Sequence, residues 1–231
     1  MEKPVFNGKY KALTFSFDDG NFDDIRLIKI MNKYGLKGTF NLNSGKITKA
    51  DHWVFADDKD VYHINYFEYP NIYDGHEVAA HSYTHPDLSQ LDEKTAENEI
   101  RLDRTILKHL YGYDIKGFAY PFGRYNDMVI DVLARNNIQY ARTVNQTLTF
   151  NLPENKMVWN PTCHFQYHHI KELAEKFLNV FGTNALFYIW GHSYELVTEE
   201  DWKNFEELCD FLGNQADVFY GTNIEIIDLL K

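Results

Sequence analysis

Only 2 of the 231 residues are cysteines, too few for a disulfide framework, so a packed core must hold the fold. Cys209 sits in a helical apolar pattern and reads as a buried free thiol. No apolar run reaches the ~18 residues of a membrane-spanning helix, and the start Met1-Glu2-Lys3-Pro4 lacks the apolar stretch of a secretory leader. As it stands the chain is expected to be cytoplasmic and not membrane-bound. Basic residues are outnumbered, 23 Lys and Arg against 34 Asp and Glu, and a formal charge of -11 repels phosphate backbones, which argues against a nucleic-acid partner. Glycines are not gathered into a dinucleotide fingerprint or a P-loop, and no internal repeat is visible. What the chain does have is the make-up of a packed globule, 44% hydrophobic and 25% charged, at a length that favours one large domain over 1–231. Its aromatic content, 16%, suits a groove that stacks on sugar rings or other apolar ligand faces, beyond what core packing uses.

Residues 11–17, Lys-Ala-Leu-Thr-Phe-Ser-Phe, are β-branched and aromatic and stop at Asp18-Asp19-Gly20, so they read as a buried strand with carboxylates at its C-terminal end. A helix over 22–34, with Ile25, Leu27, Ile28 and Met31 on its apolar stripe and Gly35 just past its end, leads to a strand at 38–42. The same grammar recurs as a strand at 77–80, a helix over about 92–110 and a strand at 117–120. A helix at about 126–136, a strand at 138–142, a short strand near Val158 and a helix at about 168–181 follow, then a strand at 185–190 and helices at about 199–213 and 223–230. Strands alternating with helices predict an α/β fold with a parallel sheet, and a closed barrel is preferred to an open doubly wound sheet. Residues 43–76 break the pattern with Trp53, Phe55, Tyr62, Tyr66, Phe67, Tyr69 and Tyr73. They read either as an insertion beside the active mouth or as a satellite cluster packed on the barrel.

In such folds reactive groups gather at the C-terminal ends of the strands, and the residues there are polar: Asp18 and Asp19, His81 and His85, Tyr120-Pro121-Phe122-Gly123, Arg142, and His192 after Trp190-Gly191. Two imidazoles four residues apart can aim at one point. A carboxylate from another strand completes a His, His, Asp set with open positions, suited to a catalytic divalent metal.

Four segments together resemble the polysaccharide deacetylase family, carbohydrate esterase family 4 with the NodB homology domain. They are Thr14-Phe15-Ser16-Phe17-Asp18-Asp19-Gly20, the run Gly75 to His85, Ala119-Tyr120-Pro121-Phe122-Gly123 and Trp190-Gly191-His192. The resemblance implies a distorted, incomplete (β/α) barrel and metal-dependent hydrolysis of acetamides or acetyl esters on carbohydrates. By position it implies that Asp19, His81 and His85 hold one divalent ion, zinc first among first-row metals, with Asp18 as general base and His192 as general acid. Phe122 would supply an oxyanion N–H, with Tyr120, Pro121, Trp159 and Trp190 around the substrate pocket. The plainer alternatives are a helix N-cap for Asp18 and a core histidine for His192.

The chain departs from the family pattern twice. Ala119 stands where the third motif commonly has an arginine, and Met157-Val158-Trp159-Asn160-Pro161-Thr162-Cys163-His164 shows no carboxylate to orient His192. Arg142, at the end of the next predicted strand, is expected to replace the missing arginine and pair with Asp18, the alternative being an arginine that carries its charge to solvent. His164, His168 and His169 form a second cluster, read as solvated or capping histidines rather than a second metal site. Two functions remain open: a deacetylase acting on acetylated carbohydrate, or a carbohydrate-binding pseudoenzyme that keeps the barrel without turnover.

Overall fold

The computed structural model describes residues 3–47 and 51–230. In chain order the elements are β1 (Lys11–Asp18), α1 (Asp24–Lys33), β2 (Gly38–Leu42), α2 (Ser44–Ile47), β3 (His52–Phe55), β4 (Lys59–Tyr62), β5 (Glu77–Ala80), α3 (Glu93–Tyr111) and β6 (Gly117–Ala119). Then come α4 (Asp127–Arg135), β7 (Tyr140–Arg142), β8 (Cys163–His164), α5 (Ile170–Leu178), β9 (Ala185–Gly191), α6 (Glu199–Leu212), β10 (Val218–Tyr220) and α7 (Asn223–Leu229). Alternation along β1 sorts the interior. Leu13, Phe15 and Phe17 join the core under the helices, whereas Ala12, Thr14, Ser16 and Asp18 face the inside of the curled sheet. Burial on both faces explains why this strand reads as a nearly unbroken hydrophobic run.

All pairings of the main sheet are parallel, in the order β7-β6-β5-β2-β1-β9-β8. β9 follows one edge of β1 along its length, while the other edge is shared, by β10 at Lys11 to Leu13 and by β2 from Phe15 onward. The closed barrel expected from the alternation is not formed. The 158–164 segment bridges the two ends irregularly, with one ladder pair between Trp159 and Arg142 on the β7 side and the bond Thr162 N to Tyr188 O on the β9 side. Pro161, between them, has no N–H to continue a ladder. The result is a curled, incomplete (β/α) barrel. The strand expected near Val158 is a 3-10 turn over Lys156–Val158, and its place is taken by the two residues of β8.

Inside the barrel the side chains form a polar column. Thr14 Oγ1 donates to Asn223 Oδ1 (2.9 Å), Asn223 Nδ2 to Tyr188 OH (2.7 Å), and Thr39 Oγ1 and Tyr140 OH to Glu77 (2.8 Å each). The Ile224 amide, in the first turn of α7, also donates to Glu77 at 2.8 Å, which ties α7 to the lower end of the barrel. Burial still pushes the Glu77 carboxyl up to about 7. In the aromatic-rich stretch 43–76, residues 48–50 lie outside the described residues. β3 and β4 form an antiparallel hairpin whose Trp53 and Phe55 rings meet Tyr194 at 5.2 and 4.9 Å, next to the rim. Farther along, Tyr66 and Tyr73 pack on the main core.

Candidate active site

Parallel strands deliver their C-terminal ends to one rim, so β1 supplies Asp18 and Asp19, β5 leads into His81, and β9 leads into His192. The rim backbone is bent sharply: Asp19, Ser82, His85 and Phe122 have φ of 75, 66, 65 and 57°, the left-handed region that non-glycine residues enter at about 1–3 kcal/mol each. Asp19 Oδ1 lies 3.7 Å from Nε2 of both His81 and His85. His81 Nδ1 donates to the carbonyl of Ala119 at 2.7 Å, which leaves Nε2 as the nitrogen turned to Asp19. Burial, with His81 beside it, holds His85 down at about 4, which keeps its ring neutral near pH 7. Two imidazoles and one carboxylate, their ligand atoms all within 4.8 Å of one another and each imidazole Nε2 3.7 Å from the carboxylate oxygen, suit a first-row divalent ion.

Asp18 is buried beside this triangle. Its Oδ2 accepts from Arg142 Nη2, and its Oδ1 accepts from Asn41 Nδ2 at 2.8 Å. Arg142 is wholly buried, with Nη1 on the Thr143 carbonyl at 3.0 Å and its guanidinium 4.8 Å above the Trp190 ring, so its charge does not reach solvent. Burial pushes the Asp18 carboxyl up, but Arg142, His81 and His192 outweigh it and hold it at about 2. His192 Nε2 stands 3.8 Å from Asp18 Oδ2 and 3.9 Å from Asp19 Oδ2. Burial lowers the His192 pKa, yet Glu195 and the two aspartates raise it to about 9. A cation held by Asp19 would oppose that rise.

The remaining sequence candidates divide. Phe122 is 56% exposed at the rim with its ring 4.7 Å from His85, and Trp190 lies between Arg142 and His192. Tyr120 and Pro121 are buried supports of that turn, the Tyr120 hydroxyl donating to the Met157 carbonyl at 2.8 Å. Trp159 does not wall the mouth. It is buried against Tyr188 and Tyr140, at 4.4 and 5.5 Å, among the side chains that fill the barrel. The second histidine cluster separates too: His169 turns to Glu172 at 2.9 Å, His168 stacks on its neighbours, and His164 Nε2 reaches Glu195 at 2.8 Å. An acidic partner for His164, which the sequence did not reveal, is therefore present.

Sequence reasoning also missed Asn41, Asp103 and Glu195. Asp103 accepts from the backbone N–H groups of Ser44 (2.7 Å) and His81 (2.9 Å) and so clamps the histidine loop to α3. Its signal was a carboxylate within the apolar stripe, between Ile100 and Leu107. Glu195 lies three residues after His192, a spacing that also reads as a local cap.

A polysaccharide deacetylase family model matches residues 7–141. A bifunctional xylanase/deacetylase from Pseudobutyrivibrio xylanivorans is 26% identical over 118 residues, 48% of this chain and 17% of that protein. The chain spans a quarter or less of the length of the curated relatives it matches. Among solved structures, a candidate polysaccharide deacetylase from Mycobacterium smegmatis superposes with a TM-score of 0.66 at 16% identity, over 96% of this chain and 90% of that one. A CE4 family pseudoenzyme from Bacillus anthracis superposes with a TM-score of 0.59 at 16% identity, over 95% of this chain and 66% of that one. At these identities the superpositions speak for the fold alone.

Proposed function

This chain belongs to the polysaccharide deacetylase family, and from that membership we propose that it is a metal-dependent hydrolase that removes acetyl groups from N-acetylated amino sugars or O-acetylated glycans. The observation that carries this reading is the convergence of Asp19 Oδ1 with Nε2 of His81 and His85 beside a buried, ionised Asp18. Asp19, His81 and His85 would hold one divalent ion, zinc by preference. When bound, that ion supplies positive charge that acidifies water and polarises the acetyl carbonyl. Asp18, ionised at any working pH, takes the proton of the attacking water, its two oxygens fixed by Arg142 and Asn41. His192, whose Nε2 faces the same space, gives its proton to the departing nitrogen or oxygen. The backbone N–H of Phe122 donates to the developing oxyanion, and the Phe122 and Trp190 rings shape the rim around the acetyl group.

Nothing in the geometry favours a protein that only binds carbohydrate, because Asp18, Asp19, His81, His85 and His192 share one rim. Acetate release is the deciding measurement, across chitooligosaccharides, peptidoglycan fragments and acetylated xylan. We expect release that stops on exhaustive chelation and returns with zinc. Turnover undiminished by chelation would overturn the metal-dependent reading, and no release from any acetylated carbohydrate would overturn the deacetylase reading.

A further inference from the structure

The rim carries a second constellation to which the roles above give no task. Glu195 Oε2 lies 2.8 Å from His164 Nε2 and accepts from the backbone N–H of His192 at 3.0 Å. Its Oε1 stands 3.3 Å from His192 Nδ1. That Nδ1 is buried and faces both the Glu195 backbone N–H of the capping turn and the Glu195 carboxylate, and a ring protonated at Nδ1 can pair only with the carboxylate. Catalytic hydrogen bonds that are long or poorly aligned without substrate commonly tighten once it is bound. His164 has its own tautomer fixed: Nδ1 accepts the Gln166 N–H at 3.2 Å, which leaves the proton on Nε2, facing Glu195. Gly191 clears the space, since a Cβ there would stand 2.9 Å from His164 Nε2 and 2.2 Å from the Phe165 ring.

We propose that Glu195 and His164 are positioning residues for His192: Glu195 takes the Nδ1–H and turns Nε2–H toward the leaving group, and His164 fixes Glu195 in turn. The proposal rests on the deacetylase reading. The segment after Met157, where an orienting carboxylate was sought, instead supplies the histidine of this pair, and the carboxylate comes from the turn after β9. The step balances. As the C–N bond of the tetrahedral adduct breaks, its electron pair takes the Nε2 proton of the His192 imidazolium, which is left neutral with Nδ1–H on Glu195. The proton lost by water resides on Asp18, and the products are acetic acid and the amine; the acid's proton returns to His192 Nε2 as acetate leaves. A carboxylate that holds an imidazole in one tautomer acts in the same way in hydrolases that use a histidine base.

The test compares the full chain with Glu195→Ala, His164→Ala and His164→Gln on two acetyl donors. One is an N-acetyl amino-sugar oligomer, whose amine must be protonated to leave; the other is an aryl acetate, whose phenolate leaves unaided. Removal of an outer-shell partner is expected to cut kcat on the amide about 10- to 100-fold in Glu195→Ala. The ratio of amide to aryl-acetate turnover falls about tenfold or more on the same ground, with KM and ion content unchanged. His164→Ala shows a smaller loss, and His164→Gln, whose amide N–H occupies the place of Nε2–H, recovers part of it. Equal losses on both donors, unchanged amide turnover, or ion content that falls with the rate would each overturn the proposal. So would a second ion per chain that His164→Ala removes, because the cluster would then be a metal site. If the wild type hydrolyses neither donor, the deacetylase reading fails, and proton NMR decides the pairing separately. A downfield His192 Nδ1–H resonance that Glu195→Ala abolishes supports the pairing, and one that persists in that variant overturns it.

Discussion

Asp18 and Asp19 are adjacent carboxylates with different surroundings, and their substitutions should separate. Asp18 is buried against Arg142 and Asn41, whereas Asp19 faces both imidazoles. Asp18→Asn is expected to keep the ion and lose most of the rate, on the order of 10²-fold or more, while Asp19→Asn loses affinity for the ion itself. Equal ion loss in both, measured by elemental analysis after dialysis, would contradict that division. Arg142 offers a second test, because it lies directly opposite Ala119 in the β6–β7 ladder. Neighbouring strands are ~4.8 Å apart, so an arginine at 119 can reach the same carboxylate. Arg142→Ala should cost about 3–5 kcal/mol in stability by leaving Asp18 buried and unpaired, and should move the acid limb of the kcat/KM profile upward. Adding Ala119→Arg should restore part of both; a double variant no better than the single one would show that position 119 cannot reach Asp18. At this scale the sequence was legible where motif and strand end coincide, as for Asp18, Asp19, His81 and His85. It was illegible at Glu195, whose spacing from His192 looks like helix capping, and at Trp159, where an aromatic side chain carries no sign of which layer it fills.

The histidine loop owes its shape to α3. Asp103 holds the His81 and Ser44 amides, and Glu99 holds the amide and hydroxyl of Thr84 at 2.8 and 2.9 Å. Asp103→Asn turns an N–H group toward one of these donors; the His81 amide also has the Leu42 carbonyl at 3.0 Å, so the Ser44 amide is the one exposed to loss, and a buried amide left without a partner costs about 1–3 kcal/mol. The expected outcome is a zinc affinity about tenfold lower in a chelator competition, with the helix intact by circular dichroism. An unchanged affinity would mean that the loop holds itself. Elements of ordinary length were readable from period and capping. α3 opens on Asp92, whose side chain accepts from the Thr95 amide, and closes on Gly112 in the left-handed region. β10 and β8 were not readable in their places, because strands of three and two residues carry no period, and β10 owes its pairing to a free stretch of edge on β1.

Taken whole, the molecule buries more acid than its chemistry uses. Burial pushes Asp24, Glu77 and Asp103 each up to about 7. In the unfolded chain these groups ionise near 4, so between pH 4 and 7 the folded state binds more protons, and stability falls as pH rises, by about 1.4 kcal/mol per unit for each group that titrates this way. Asp18 and Glu195, held at about 2, act oppositely, and their contribution is lost only as pH falls below about 4. The urea midpoint should therefore be higher at pH 5 than at pH 8, and Glu77→Gln should flatten the decline. A midpoint that rises toward pH 8, or a Glu77→Gln slope like that of the wild type, would count against the assignment. The order of synthesis adds a constraint of another kind. β1, central in the sheet, finds its full-length neighbour only in β9, Lys11 opposite Ala185 through to Phe17 opposite Gly191. A nascent chain that has reached Arg142 already carries Asp18, all three candidate ion ligands and the arginine, yet one edge of its central strand is bare and able to pair with any other strand it meets. Until Gly191 has been made, that edge of β1 lacks its partner and must be shielded, and Asp18 and Asp19 lack the His192 imidazole that stands beside them.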